Sequence, residues 1–170
     1  MYGTLHFIKR LTDRVGKKSL LGLFVAGSLL TYTQAQAAET ISEPGLIPYV
    51  ITDGSSIDYS LTGTSGDPVK GRALAINRKK GNCLACHTMP IPEQSFHGEV
   101  ATTLYGFGNR LTAGELRMQI VNPKVIDPDT IMPAFYRTSG FNRVKKKFVG
   151  KSILEAQEIE DIIAYLLTLK

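Results

Sequence analysis

The sequence has little cysteine, no hydrophobic run long enough to cross a bilayer and, once its charge is located, almost no excess of either sign. Of its 170 residues only Cys83 and Cys86 are cysteines, too few to build a small fold from disulfides. A second pair that would complete a four-ligand zinc site is missing too. The apolar run Leu20 to Leu30 has eleven residues, whereas a membrane-spanning helix needs about 20. No internal repeat or low-complexity tract is visible, and an apolar fraction of 43% excludes a disordered chain.

The formal charge of +5 suggests at first a basic protein drawn to nucleic acid or membranes. Its distribution removes that reading. Lys9, Arg10, Arg14, Lys17 and Lys18, opposed only by Asp13, precede the eleven-residue run, and the small-x-small sequence Ala35-Gln36-Ala37 follows it. Basic segment, short apolar core and small-residue site make residues 1–37 a signal peptide cut after Ala37; an uncleaved anchor is the alternative. Processing leaves 15 basic and 14 acidic residues in a chain of 133, a net charge of +1. The expected product is exported, periplasmic, without a membrane span and without affinity for nucleic acid.

After that segment, residues 38–66 carry scattered Pro, Gly, Ser and Thr with no helical period, and read as an irregular arm. Within it Leu46 to Ile51 suits a short extended piece, confined to a sheet edge by Pro48. Residues 67–170 read as one helical domain. Asp67-Pro68 is a helix start, with an N-cap and a proline at the first position, and Gly81 stops that helix. Thr112-Ala113-Gly114-Glu115 is a capping box opening a second helix that Pro123 ends. The last helix is the clearest: Ile159, Ile162, Ile163, Leu166 and Leu167 recur at three and four, with Glu155, Glu158, Glu160 and Asp161 near its positive end and Lys170 at its negative end.

The strongest chemical signal is Cys83-Leu84-Ala85-Cys86-His87. Two thiols three apart on a turn can add to the two vinyl groups of one porphyrin, and the adjoining imidazole then faces the iron. Export agrees with this, because haem attachment of that kind is made outside the cytoplasm. A thioredoxin-like pair would need a βαβ setting, which is absent. The sixth-ligand candidates are His97, Met89, Met118 and Met132. Met89 is two residues from His87 and so is tethered to the same side, and Met118 lies in a helix where core packing accounts for it. Met132 follows His87 by 45 residues in a Pro-bounded loop stiffened by Pro133, and is the expected ligand, with His97 next. A thioether raises the potential and suits electron transfer, whereas an open site would mean a sensor or a peroxidase.

With helix, CxxCH, loop, helix, Met-Pro loop and final helix in this order, residues 67–170 resemble a class I cytochrome c, an all-α fold whose first and last helices cross. In that family a glycine of the first helix admits an aromatic of the last, and Gly71 and Tyr165 are the matching positions. A narrower resemblance spans nearly all of the processed chain. The strings GDPVKGRALAINRKKGNCLACH, ELRMQIVNPKVIDPDTIMPAFYR and EAQEIEDIIAYLLTLK are similar to the SoxX family, monohaem subunits of SoxAX cytochromes. The resemblance implies one haem c held by Cys83 and Cys86 and ligated by His87 and Met132. It also implies a heterodimer with a SoxA-like cytochrome, which couples thiosulfate to a cysteine of the SoxYZ carrier as an L-cysteine S-thiosulfotransferase. This chain would then relay electrons toward a c-type cytochrome acceptor without catalytic residues of its own, since no cysteine is left once both hold haem. A free monohaem carrier would show the same haem chemistry.

One departure stands out. Where such cytochromes usually carry Gly-Pro-Pro to orient the proximal histidine through a backbone carbonyl, this chain has Val100-Ala101-Thr102-Thr103-Leu104. A partner surface is expected on the arm, and Arg78-Lys79-Lys80 with Arg143 to Lys147 would steer an acidic partner.

Overall fold

A computed structural model describes residues 38–170; the expected signal peptide lies outside the described residues. Five regular elements follow in order: β1 (Glu39–Ile41), β2 (Tyr49–Ile51), α1 (Pro68–Ile76), α2 (Ala113–Val121) and α3 (Ala156–Thr168). Among the described residues no helix is long and apolar enough to cross a membrane.

Each helix begins where its local chemistry dictates. The Asp67 carboxylate accepts from the amides of Val69 at 2.9 Å and Lys70 at 3.2 Å, and Pro68 supplies a position that needs no donor. At α2 the Thr112 hydroxyl accepts from Glu115 N at 3.2 Å while the Glu115 carboxylate accepts from Thr112 N at 2.7 Å. The α3 entry is fixed by Glu158, whose carboxylate accepts from Glu155 N at 2.9 Å and pairs with Lys80 at 2.8 Å.

α3 is the central element, packed on both α1 and α2. Its residues Ile159, Ile162, Ile163 and Leu166 are buried together with Ala75, Leu116, Ile120, Val121, Phe135 and Leu154. Full burial of each such aliphatic side chain is worth roughly 1.5–3 kcal/mol. α1 contributes almost no bulk, because its only buried residues are Gly71 and Ala75. That thinness lets backbones touch: a Cβ at Gly71 would overlap the Asp161 carbonyl, and one at Gly66 would overlap that of Glu160. The close approach expected at Gly71 is to the α3 main chain at Asp161, one turn before Tyr165.

The arm also departs from the irregular segment expected. β1 and β2 form an antiparallel pair with Glu39 opposite Ile51 and Ile41 opposite Tyr49. Four apolar side chains of the arm, Tyr49, Ile51, Ile57 and Leu61, belong to the main core. Their spacing follows no helical period, and only contact with the rest of the chain explains their burial.

Glu160 and Asp161, near the positive end of α3, are buried. Arg117 of α2, 4% exposed, pairs with Glu160 through Nε at 2.8 Å and Nη2 at 2.9 Å, and Glu160 also accepts from Leu61 N at 2.8 Å. Arg117 donates its third bond to Ile57 O. Asp161 accepts from Asp67 N at 2.8 Å. Every group in this buried network is partnered, which is the condition under which charge is tolerated inside. Its effect is to join the arm, the α1 start, α2 and α3.

Candidate haem-binding site

Between α1 and the following loop the chain makes a tight turn. Asn82 takes the left-handed conformation (φ 50°), which asparagine tolerates better than most residues. A single 3-10 turn, Cys83–Ala85, follows and is pinned by the buried side chain of Leu84. His87 N donates to Cys83 O at 2.9 Å, so both thiols and the imidazole come from one turn. Neither cysteine is in a disulfide, and burial pushes the Cys83 thiol up to about 11. It is thus a protonated thiol at neutral pH, unlike the thiolate of a redox pair.

The His87 ring is held by its Nδ1, 2.6 Å from Thr102 O. Two backbone bonds bring that carbonyl into place, Ala101 N to Cys86 O at 2.9 Å and Leu104 N to Thr88 O at 2.9 Å. With Nδ1–H donating to a carbonyl, Nε2 keeps its lone pair for a metal. The substitute for the usual proline-borne carbonyl is thus Thr102.

Cys83, Cys86, His87 and Met132 line one cavity of ≈ 750 Å³. Its other walls are mostly apolar, including Leu104, Phe107, Leu116, Ile120, Phe135, Leu154, Ile162 and Leu166, with Arg78, Lys79 and Lys80 along one part. A porphyrin requires an apolar chamber of several hundred Å³, thiols beside an imidazole with a free nitrogen, and cations within reach of its carboxylates. The residues present fit that group.

Of the four candidates for the sixth position, only Met132 lines this cavity. His97 is occupied elsewhere: its Nδ1 accepts from Met89 N at 3.2 Å and its Nε2 faces Ile91 O at 3.2 Å. Met89 and Met118 are fully buried core residues.

The Met132 segment is held at both ends. Upstream, Lys124 Nζ donates to Thr130 O, and Met132 N donates to the Thr130 hydroxyl at 3.3 Å. Downstream, Phe135 N and Tyr136 N donate to Ile120 O at 3.1 Å and Val121 O at 3.2 Å, satisfying carbonyls left over at the end of α2. Beyond them Glu43 of the arm accepts five hydrogen bonds from Arg137, Thr138 and Ser139.

Glu43 and Arg117 had no assigned role in the sequence reading, and Glu160 and Asp161 were placed only near the positive end of the last helix. A signal for three of them existed: a charge inside the apolar run Leu116 to Val121, and two charges between Ile159 and Ile162, where a helix buried on most of its surface leaves little room for solvent. Nothing local marks Glu43.

Of the basic clusters, Lys80 is paired with Glu158, while Arg143 to Lys147 are all exposed.

Comparison with known proteins agrees with the site. Residues 68–170 match the family described as Cytochrome c. No curated protein sequence matches the chain. Among solved structures, a chain in the crystal structure of SoxXA from P. pantotrophus is 39% identical, with a TM-score of 0.65 over 71% of this chain and 93% of that one. Paired thiols, a carbonyl-held imidazole and a chamber of matching size, together with these similarities, place the chain in the cytochrome c family, as a SoxX-like class I cytochrome that carries haem c.

Proposed function

We propose that this chain is the electron-relay subunit of a SoxAX-type complex, with Cys83 and Cys86 forming the thioethers to haem c and His87 and Met132 as axial ligands. The observation that carries the reading is the meeting of those four side chains on one cavity in a chain 39% identical to a SoxXA chain. When bound, the haem supplies one-electron transfer at a potential raised by the thioether ligand.

The protein's own contribution is positional. Thr102 O fixes the His87 ring and keeps the proton on Nδ1, so that Nε2 faces the cavity as a neutral donor. Apolar walls exclude water, and Met132 is presented by a loop pinned at both ends. In the complex a SoxA-like partner would join thiosulfate to a cysteine of the SoxYZ carrier, an L-cysteine S-thiosulfotransferase reaction. One sulfur–sulfur bond forms, one proton leaves the carrier thiol and two electrons are released. This chain passes them singly toward a c-type cytochrome acceptor. The reacting cysteine belongs to the partner, because Cys83 and Cys86 are the only two cysteines here. The protein acts in the periplasm after loss of residues 1–37, leaving the arm of 38–66 ahead of the cytochrome domain at 67–170.

Purification from the native host tests this. Recovery with a second c-type cytochrome, and reduction of the pair by thiosulfate when the carrier protein is supplied, is the expected result. A monomer inert in that mixture would overturn the reading. For the ligands, Met132→Ala should abolish the methionine-to-iron absorption band and admit cyanide readily; a retained low-spin spectrum would exclude Met132.

A further inference from the structure

The arm reaches the Met132 segment through a junction that neither thioether attachment nor the core demands. Ile47 N donates to the Tyr136 hydroxyl at 3.0 Å across 89 residues of sequence. Tyr136 is 2% exposed, and its ring lies 6.4 Å from that of Tyr49, itself buried. Glu43, in the turn between β1 and β2, has a side chain only 10% exposed. Its Oε2 accepts from Ser139 Oγ at 2.7 Å, Ser139 N at 3.1 Å, Thr138 N at 3.2 Å and Thr138 Oγ1 at 3.3 Å; Oε1 accepts from Arg137 Nε at 3.4 Å.

Tyr136 follows Met132 by four residues, with Pro133 restricting the backbone between them. At most about 14 Å of chain separates the two, so movement at Tyr136 is transmitted to the thioether. The segment beyond, from Arg137 to Ile153, contains only one 3-10 turn, Lys146–Phe148. It has little internal structure to hold the Met132 loop from that side. The arm adds to the hold that α2 exerts on Phe135 and Tyr136: a charged acceptor takes two amides, two hydroxyls and a guanidinium at the loop's far end, and a backbone amide fixes the phenol at its near end.

We propose that Glu43 and Tyr136 are positioning residues for Met132, the N-terminal arm acting as a clamp that sets how rarely the methionine loop opens. This deepens the proposed ligation and rests on Met132 being the axial donor. The clamp acts on an equilibrium: an exogenous ligand enters only in the open state, so its rate reports the open fraction. Hydrogen bonds to a charged, nearly buried carboxylate are among the stronger ones, so removing them enlarges that fraction roughly tenfold or more.

The test uses the full-length ferric holoprotein and potassium cyanide. Glu43→Ala and Tyr136→Phe should each bind cyanide roughly tenfold faster than wild type, while the midpoint potential stays near the wild-type value because the open state remains a minor population. Thr62→Ala serves as the comparison, because it removes an arm contact to Gln157 (2.7 Å) that does not touch the loop. It should lower stability while leaving cyanide rate and potential at wild-type values. Equal cyanide rates in all three variants and wild type would overturn the clamp. If Glu43→Ala yields no holoprotein, Glu43→Gln, which keeps the shape and loses the charge, decides together with Tyr136→Phe. Met132→Ala in the same assay separates the two readings. If it opens the site while the arm variants do not, only the clamp fails; if it leaves the site closed, the ligand assignment fails.

Discussion

The thiol-and-imidazole side of the haem cavity and the methionine side are built by different strategies. Cys83, Cys86 and His87 come from five consecutive residues on one turn, and the carbonyl that orients His87 lies only 15 residues further on. Met132 stands in a loop with little regular structure; α2 carbonyls 15 residues back hold its downstream end, and the arm adds contacts across 89 to 96 residues. One side is built from one stretch of chain; the other draws in addition on the arm. Local assemblies survive loosening of the rest of the fold, whereas non-local ones inherit every weakness in it. On the proposed ligation, haem and proximal ligand would be kept while the strength of the distal bond is tuned by the arm.

The most drastic way to break the contrast is to remove the local side. Replacing Cys83→Ala and Cys86→Ala together should abolish covalent attachment entirely: acid–organic extraction should carry all colour into the solvent phase, whereas the wild type keeps it on the protein. Retained colour would mean that the turn is not the attachment site. The next largest effect concerns the buried pair. Glu160→Ala leaves Arg117 charged and unpartnered in the core, at a cost of about 3–5 kcal/mol in denaturant unfolding. The double replacement Arg117→Met with Glu160→Leu should recover only part of that loss, because Leu61 N and Ile57 O lose their partners. Because Glu160 and Arg117 also seat the arm through Leu61 N and Ile57 O, Glu160→Ala should speed cyanide entry without releasing haem. A cyanide rate left at the wild-type value would erase the distinction between the two sides.

Gly71→Ala sharpens the comparison from the other direction, since the α1–α3 crossing supports both sides alike. The new methyl meets the Asp161 carbonyl, and overpacking of this sort costs about 1–3 kcal/mol, against at most about 1 kcal/mol gained in helix propensity. The expected result is a lower melting temperature with cyanide rate and attachment both near wild type at 25 °C.

How much the sequence disclosed follows the same division. The helix starts at Asp67-Pro68 and Thr112 and the Cys83–Ala85 turn are set by neighbours within a few residues, and each was legible. The Gly71 position was legible too, but the backbone contact with Asp161 was not, because which part of α3 comes nearest depends on how the helices slide against one another. Thr102 could be narrowed to a five-residue stretch and no further, since any backbone carbonyl serves. The arm was read as irregular because Tyr49, Ile51, Ile57 and Leu61 have no helical period, and their partners lie in the Met132 segment, α2 and α3. Glu43 is the extreme case: a carboxylate in a Pro-Gly turn looks like a solvated turn residue until residues 137–139 fold back onto it.

The smallest expected effect is a pH dependence centred on that carboxylate. Burial disfavours the ionised form of Glu43, but the Ser139 hydroxyl, the Thr138 amide and Arg137 outweigh it and hold the pKa below its ordinary value of 4.5. The sign follows from linkage: the unfolded chain binds the proton more tightly than the folded one. Glu43 therefore stabilises the fold fully above the unfolded value, and that contribution drains away as pH falls through the lower folded one. Other carboxylates titrate in the same range, so the quantity to measure is the stability difference between wild type and Glu43→Gln. That difference should be constant from pH 7 to about pH 5 and shrink below pH 4.5 as the wild-type carboxylate is neutralised. The ratio of their cyanide rates should narrow over the same interval, because the proton that weakens the arm's hold on Thr138 and Ser139 also frees the Met132 loop. A stability gap that narrows while the cyanide ratio stays fixed would show that the arm stabilises the fold without reaching the methionine.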